Sequence, residues 1–388
     1  MHILHCITGL TGDGAQRMLL RLIERLSLLN VKSSVVALSP EPGIHDLFKD
    51  SLIPLNISPS LHGAYRGTVK LRGIIRKYKP DLVQGWMYHA NLLAFAATRS
   101  LTRYSSDPKV IWNVRRGLDD IAQRSKKTRV VVRLNAITSS FADSILYCSQ
   151  STRDQHEAYG FSGKRGFVID NGFDTARFQP NQQMRSAFRL RYGIGDEELV
   201  IGNVGRYDLA KGHLYLVRAF KRVLALFPNT RLVMVGRGID ESNHELVEEL
   251  RGLGCLGRTL LLGAQESIEN LHAGFDIYCS ASICEGFPNA LSEAMACGAA
   301  CVATDTGASR QLVEGIGVVV APRDVSALAD ALISTISEGR AVCVKRGLAG
   351  RERVGARYGL ERVAKNYYEL YQQILEDNSA FANEPRSS

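Results

Sequence analysis

The chain has 388 residues, 45% of them hydrophobic and 22% charged, a balance that fits two ordinary globular domains and excludes a disordered or low-complexity protein. Its charge is divided unequally: residues 1–185 carry 26 Lys and Arg against 14 Asp and Glu, a net of +12, whereas residues 186–388 carry 22 against 25, a net of −3. Such asymmetry implies that the first half faces something anionic, nucleic acid and an anionic membrane surface being the usual candidates and a plain soluble surface the alternative.

Taken in chain order, residues 1–7 read as a strand running into a Gly-rich turn and lack the basic-then-apolar pattern of a signal peptide. No apolar run reaches the roughly 18 residues of a membrane-spanning helix, and a cytoplasmic protein is expected. The turn contains Gly12 and Gly14 and opens a helix on which Ala15, Met18, Leu19, Leu22, Ile23 and Leu26 step by three and four. Glycines at that place let a backbone approach a ligand, and the helix N-terminus offers N–H donors to an anion. The spacing is not that of the dinucleotide fingerprint.

Further short buried strands are expected at residues 34–38, 82–84, 110–112, 145–148 and 167–169, with helical patterns between them. Two of these strands end in polar groups, one leading to His89 and the other to Arg115 and Arg116. Open α/β sheets bind ligands at strand carboxyl ends, so these three are candidate acceptor contacts. The run Arg124, Lys126, Lys127, Arg129 and Arg133 continues the basic surface.

The alternation restarts after Pro180, with strands expected at 199–204, 231–235, 259–262, 277–279, 300–303 and 317–319. Two successive doubly wound domains follow, residues 1–180 and 181–360, with a linker at 174–185. A last helix at 360–377 carries Val363, Tyr367, Leu370, Tyr371 and Ile374 on one face, suited to packing back on the first domain. Residues 378–388 are expected to be disordered. The eight cysteines include no C-x-x-C, and Cys297 with Cys301 makes no metal-ligand set; reduced thiols are expected.

Chemistry concentrates in the second half. After its first strand come Gly205, Arg206, Lys211 and Gly212; two cations beside a strand end can clamp a diphosphate, or can be ordinary solvated loop charges. The stretch Gly263–Gln265 ends another strand. Most informative is Cys284-Glu-Gly-Phe-Pro-Asn-Ala-Leu-Ser-Glu-Ala-Met-Ala-Cys-Gly298. Glu285 ends a strand-like stretch, Pro288 suits the first helical position, and Gly298 suits the stop. Glu293 sits in the middle of an otherwise small, apolar helix, where a carboxylate is costly unless paired. Two carboxylates bracketing a helix N-terminus suit a phosphate flanked by hydroxyl-rich sugars. The plain alternative is a strand–turn–helix with a solvated Glu293.

The string EGFPNALSEAMACG resembles the E-x7-E signature of family 4 of the retaining glycosyltransferases, which have the GT-B fold. It matches at both Glu residues and through Gly286, Phe287, Pro288 and Asn289. Arg206 and Lys211 resemble the G-R-x(4)-K-G element of the same enzymes, and the first glycine loop and Asn171-Gly172-Phe-Asp174 extend the likeness. The family commonly carries a His after the strand at 110–113; here Arg115 and Arg116 stand instead, so His89 is only the nearest candidate.

The resemblance implies an α/β GT-B fold and a sugar transferred from a nucleotide diphosphate donor to a saccharide or lipid-linked acceptor, as in bacterial surface-polysaccharide assembly. A UDP-sugar is favoured, although no residue discriminates the base. Arg206 and Lys211 would hold the diphosphate. Glu285 and the amides of Gly286, Phe287, Pro288, Asn289 and Ala290 would hold the sugar and phosphate. Glu293 would hold the ribose, and Gly12, Gly14, Gly205, Gly263 and Gln265 the rest of the donor. No cofactor or metal is implied, since Asp119-Asp120 lacks the context of a D-x-D metal motif. An anionic membrane surface is a candidate partner; nucleic acid is not expected, there being no recognition motif. A nucleotide-sugar epimerase shares the scaffold and remains the nearest rival. A basic nucleic-acid-binding protein is the rival from another class, and a dehydrogenase is disfavoured by the missing fingerprint.

Overall fold

The computed structural model describes residues 1–10, 14–39, 48, 51–55, 61–99 and 108–376. Two compact units divide the chain: the first comprises residues up to Arg115, Ile121–Gly172 and the chain from Leu360 onward, the second Arg116–Asp120 and Phe173–Gly359. In the first unit β1 (His2–Ile7), β2 (Lys32–Ala37), β3 (Leu52–Pro54), β4 (Leu82–Trp86), β5 (Lys109–Val114), β6 (Ser144–Tyr147) and β7 (Gly166–Val168) form one sheet in the order β3-β2-β1-β4-β5-β6-β7. Every pairing in it is parallel. The helices among its strands are α1 (Gly14–Leu28), α2 (Leu61–Tyr78), α3 (Tyr88–Arg99), α4 (Lys126–Thr138) and α5 (Gln150–Tyr159). On α1, Met18, Leu19, Leu22 and Leu26 are buried against the sheet while Ala15 and Ile23 lie half-buried at its edges.

The second unit repeats the plan. Strands β8 (Leu199–Val204), β9 (Thr230–Val235), β10 (Thr259–Leu261), β11 (Ile277–Ser280), β12 (Ala300–Thr304) and β13 (Val318–Val320) run parallel in the order β10-β9-β8-β11-β12-β13. Its helices are α6 (Gln182–Arg191), α7 (His213–Leu226), α8 (His244–Gly252), α9 (Ile268–His272), α10 (Asn289–Ala296), α11 (Ser309–Val313), α12 (Val325–Ser337) and α13 (Arg340–Tyr358). The central strands are buried on both faces, which is why they read as continuous apolar runs rather than alternating ones. In both sheets the strand order reverses beside the first strand, so β8 and β11 are neighbours whose following loops diverge.

The final helix, α14 (Leu360–Glu376), buries Val363, Tyr367, Leu370, Tyr371 and Ile374 in the core of the first unit together with Ile3, Ile7 and Trp86. Two hydroxyls anchor it: Tyr371 Oη donates to Gln84 Oε1 at 2.7 Å, and Tyr367 Oη accepts from Arg115 Nη1 at 2.9 Å. The expected linker at 174–185 lies inside the second unit: Arg185 Nη2 meets Asp276 Oδ1 at 2.6 Å, and Arg351 Nη1 donates to the Phe178 carbonyl at 3.1 Å. The two ends of that unit adjoin, the Phe173 N–H donating to the Tyr358 carbonyl at 2.8 Å. Strand β3 was not expected; it is three residues long, half-exposed and closed by Pro54, which cannot donate to a ladder. Residues 378–388 and Gly12 lie outside the described residues.

Among the described residues four imidazoles are buried: His5, whose pKa burial lowers to about 3, and His156, His213 and His272, lowered to about 4. An unfolded histidine takes up its proton near pH 6.5, so between about pH 6.5 and 4 unfolding binds protons that the folded rings refuse. Stability therefore falls as pH falls through that window, by at most about 1.4 kcal/mol per pH unit for each ring. Thermal unfolding followed from pH 7.5 to 5 should show a falling Tm below about pH 6.5; a flat Tm would contradict this assignment of neutral buried rings.

Candidate active site

The loop after β8 folds back on itself before α7 begins. Asp208 caps the turn at Leu209–Lys211 by accepting from the Ala210 N–H at 2.9 Å, and it holds Arg206 Nη2 at 3.0 Å. Gly212 then takes φ +66°, and a Cβ there would stand 2.0 Å from the Ala281 carbonyl oxygen. Only glycine lets the loop lie so close to the chain leaving β11. A second tie follows, the Ile283 N–H donating to the Ala210 carbonyl at 2.7 Å. The loops after β8 and β11 are thus fixed to each other by backbone.

This clamp brings Lys211 and Glu285, 74 residues apart, to Nζ–Oε1 2.6 Å. The same carboxylate oxygen accepts from Ser282 Oγ at 2.7 Å. Thr304 Oγ1 donates to the Ser282 carbonyl at 2.5 Å and the Ser280 carbonyl at 3.2 Å, holding the chain that carries Ser282. The pair is largely but not wholly withdrawn from water, the Glu285 side chain being 12% and the Lys211 side chain 27% exposed. It borders a small recess that Asn203, Ser282, Asn289 and Ala290 also line. The first turn of α10 forms part of the wall, and a helix start carries N–H groups with no partner inside the helix.

His213 also lines the recess. Its Nε2–H donates to the Arg206 carbonyl at 3.0 Å and its ring stacks on Tyr207 at 5.5 Å. With its pKa lowered to about 4 by burial, it is neutral at pH 7 and serves the loop as a strut. Tyr278 reaches the same recess, and burial raises its hydroxyl well above the usual range.

The other residues singled out from sequence distribute as follows. On α10 only Asn289, Ala290 and Glu293 escape full burial, and the i,i+4 relation sets Glu293 beside Asn289. Glu293 does not line the recess itself; its Oε2 lies 3.9 Å from Nε2 of the wholly buried, neutral His272, too far for a hydrogen bond. Pro288 caps α10 and Asn289 is its first residue, one position later than expected, while Gly298 at φ +82° follows the helix end as expected. The Phe287 ring packs on Phe173 and Tyr358 at 5.9 and 5.7 Å, so it belongs to the core and only its backbone is left for a ligand. Gly205 lies 3.5 Å from the Lys211 stem, measured from where its Cβ would be.

Gly263 uses its N–H on the Ile239 carbonyl and its carbonyl on the Gly236 N–H, and Gln265 Nε2 bonds the Leu262 carbonyl at 2.6 Å. Neither residue lines the recess. In the first unit Gly14 begins α1 and His89 stands exposed in the first turn of α3. Arg115 is committed: its guanidinium bonds Asn113, Tyr367 and Asn171 and lies 5.2 Å over the Trp86 ring. Those donors hold α14 and the strand ends together, a structural part that its position after a strand did not show. Arg116 belongs to the second unit and pairs with Asp120 at 2.6 Å. Among the described residues no cluster of His, Cys, Asp and Glu could hold a metal ion, and all eight cysteines are free and buried.

Sequence reasoning passed over Ser282, Asn203, Tyr278 and His213 as site residues. A serine three residues before Glu285 was the visible signal for Ser282; nothing local marks the others. The clamp predicts that Gly212→Ala is costly, since it adds the left-handed backbone penalty of about 1–2 kcal/mol to a backbone clash. Gly193→Ala, at φ +59° with open space around it, carries the first penalty alone. The Tm of the first variant should fall further than that of the second; equal losses would show that the loops are not clamped at Gly212.

Comparison with known proteins accords with this geometry. The family described as "Glycosyltransferase Family 4" matches residues 12–177, and "Glycosyl transferases group 1" matches residues 198–338. An uncharacterized glycosyltransferase of Methanocaldococcus jannaschii is 26% identical over 243 residues, 61% of this chain and 59% of that one. The UDP-Gal:alpha-D-GlcNAc-diphosphoundecaprenol alpha-1,3-galactosyltransferase of Escherichia coli is 25% identical over 280 residues, 69% of each chain. For the first of these the match thus spans less than two thirds of the relative's length. Among solved structures, HepE of Anabaena in complex with UDP and glucose superposes with a TM-score of 0.84 at 19% identity, covering 96% of this chain and all of that one. Two parallel-sheet α/β units of this kind are the GT-B architecture, and with both halves matched the chain belongs to the family 4, group 1 glycosyltransferases.

Proposed function

We propose that this protein transfers a sugar, with retention of anomeric configuration, from a uridine diphosphate donor to a saccharide or lipid-linked acceptor in surface-polysaccharide assembly. The transfer would take place at the cytoplasmic face of a membrane. The observation that carries this reading is the cluster of Lys211, Glu285 and Ser282 at the divergence of the β8 and β11 loops, beside the start of α10. Open α/β sheets take their ligands at that crevice. The E. coli relative bears a UDP-sugar and a diphosphoundecaprenol acceptor in its name, and HepE was crystallised with UDP and glucose; both support a uridine donor and the former a lipid-linked acceptor.

In this reading Lys211, with Arg206 from the same loop, neutralises charge gathering on the departing diphosphate, the kind of contribution that usually weighs most. The amides of the α10 start add fixed partial charge to the same oxygens. Glu285, held by Ser282 and Lys211, accepts from hydroxyls of the sugar, and Glu293 from those of the ribose. The acceptor hydroxyl attacks from the face the diphosphate leaves, and its proton passes to a phosphate oxygen. No side-chain nucleophile or base enters the step, and His213 is neutral with its Nε2–H spent on the Arg206 carbonyl. The two cations supply the neutralisation, so no metal is invoked.

Lys211 faces a choice of partner. Without ligand it pairs with Glu285, and a diphosphate must draw it away or share it. Lys211→Ala should lower turnover by about 10²–10³-fold, the usual loss of one charge-stabilising donor, and should weaken UDP binding. Glu285→Gln should lower turnover by a similar factor without weakening UDP, because it removes the competitor for Lys211. Calorimetry with UDP and single-turnover assays separate the two; weaker UDP binding in the Glu285 variant would overturn the assigned roles. Glu293→Ala should weaken UDP by about 1.5–3 kcal/mol, the value of hydrogen bonds to a charged group, and unchanged affinity would remove Glu293 from the ribose site.

A further inference from the structure

Helix α4 presents a surface that the transfer reaction does not use. Its buried side is ordinary: Val132, Asn135 and Ala136 face the first unit, and Asn135 Nδ2 donates to the Tyr88 carbonyl at 3.1 Å. Ser125 caps it by accepting from the Thr128 N–H at 3.2 Å. The helix is therefore a fixed platform. Its seven exposed positions are Lys126, Lys127, Arg129, Val130, Arg133, Leu134 and Ile137. Every one is either a cation or a large aliphatic, and none is acidic or neutral polar.

A solvated helix face normally carries polar residues of both signs. Here Val130, Leu134 and Ile137 are 57%, 45% and 61% exposed, and Phe141, in the turn that follows, is 44% exposed. Their spacing of four, three and four residues places them on one stripe. At 100° per residue, Arg129 and Arg133 fall on one flank of that stripe and Lys127 on the other, with Lys126 at its N-terminal end. Arg99, also exposed, adds a cation 3.8 Å over the Phe141 ring. None of the four α4 cations forms an ion pair among the described residues, so their charge is not neutralised by the protein.

We propose that α4 docks this protein on an anionic lipid surface, the Val130, Leu134, Ile137 and Phe141 stripe entering the headgroup boundary and the flanking Lys and Arg meeting lipid phosphates. Apolar side chains bordered by cations are the pattern of a helix lying in a membrane interface. The net charge of +12 over residues 1–185 supplies attraction of the same sign. A second copy fits poorly, because two such faces would oppose eight cations. An acidic protein would meet the charges but leaves the aliphatic stripe without a counterpart. The proposal rests on the transfer reading only in its choice of a membrane as the place of work, and it is tested without assaying transfer.

The full chain is to be sedimented with phosphatidylcholine vesicles and with phosphatidylcholine–phosphatidylglycerol vesicles, each at low and high salt. Binding is expected to the anionic vesicles alone and to fade as salt shortens the screening length from about 10 Å at 0.1 M to about 3 Å at 1 M. One variant replaces Lys126, Lys127, Arg129 and Arg133 with Gln; the other carries Val130→Gln, Leu134→Gln and Ile137→Gln. All seven positions are exposed, so both should keep the wild-type Tm. The first should lose at least about tenfold in partitioning, with about 10³-fold as the ceiling for four charges, and the second about tenfold or more. Equal binding to neutral and anionic vesicles overturns the proposal, as does full binding by either variant; retention by the aliphatic variant alone would mean adsorption by charge without insertion. Binding of an acidic polypeptide in place of anionic vesicles would overturn it in favour of a protein partner. Transfer to a soluble acceptor should be unchanged in both variants, so a failure of the transfer assay in wild type leaves the vesicle result intact.

Discussion

Everything proposed for the second unit depends on two loops being unable to part. Parallel strands β8 and β11 lie side by side, but their chains continue in different directions, one into α7 and the other towards α10. Left to itself such a crevice would be a mobile opening. Here the Ile283 N–H is spent on the Ala210 carbonyl, and Gly212 rests against Ala281 at a distance no side chain would allow. Backbone hydrogen bonds and backbone contact are less adaptable than side-chain ones, so the place of Lys211 relative to Glu285 is set before any ligand arrives. Preorganisation of this kind is what makes charge useful to a reaction, since no reorganisation is needed as the charge develops.

The electrostatics follow from that placement. A lysine and a glutamate at 2.6 Å in a half-closed recess contribute little to stability on balance, because desolvation offsets most of their attraction. Their juxtaposition is better understood as storage of both charges at a site that needs them separately. The cation suits a diphosphate and the carboxylate suits hydroxyls, while Ser282 keeps Glu285 in place when Lys211 turns to a new partner. The nearby His213 is kept out of this traffic by burial and by its bond to the Arg206 carbonyl. A charged imidazole there would be repelled by Lys211.

The architecture was legible because parallel strands buried on both faces leave continuous apolar runs, and every strand expected from such runs is present. Strand β3 was not, since an edge strand ending in Pro54 bears no such run. Within the site, Glu285 and Lys211 were legible from residue type and position after a strand, yet their direct pairing was not, because 74 residues of intervening chain hide it. The part played by the Phe287 ring was hidden for a related reason. A motif records that a residue recurs at a position, whereas only packing on Phe173 and Tyr358 tells that this ring holds the core. The inward bonds of Arg115 were hidden likewise: a cation at a strand end does not show that its guanidinium donates to Tyr367, more than 250 residues away.

That last contact also clarifies how charge is used in the first unit. Arg115 is drawn inward by Asn113, Tyr367 and the Trp86 ring, and its cost of burial is met by hydrogen bonds and a ring face. The cations of α4 are the opposite case, left outward with no carboxylate beside them although the chain has acidic residues elsewhere with which to pair them. Surface ion pairs are worth little, so leaving them out costs the fold almost nothing. Exposing Val130, Leu134 and Ile137 between those cations does carry a cost in water, for each side chain forgoes most of the gain that burial would bring. A surface that repels anything cationic and loses free energy in water is at its most stable against a phase that is both anionic and apolar, and a lipid headgroup boundary has both properties.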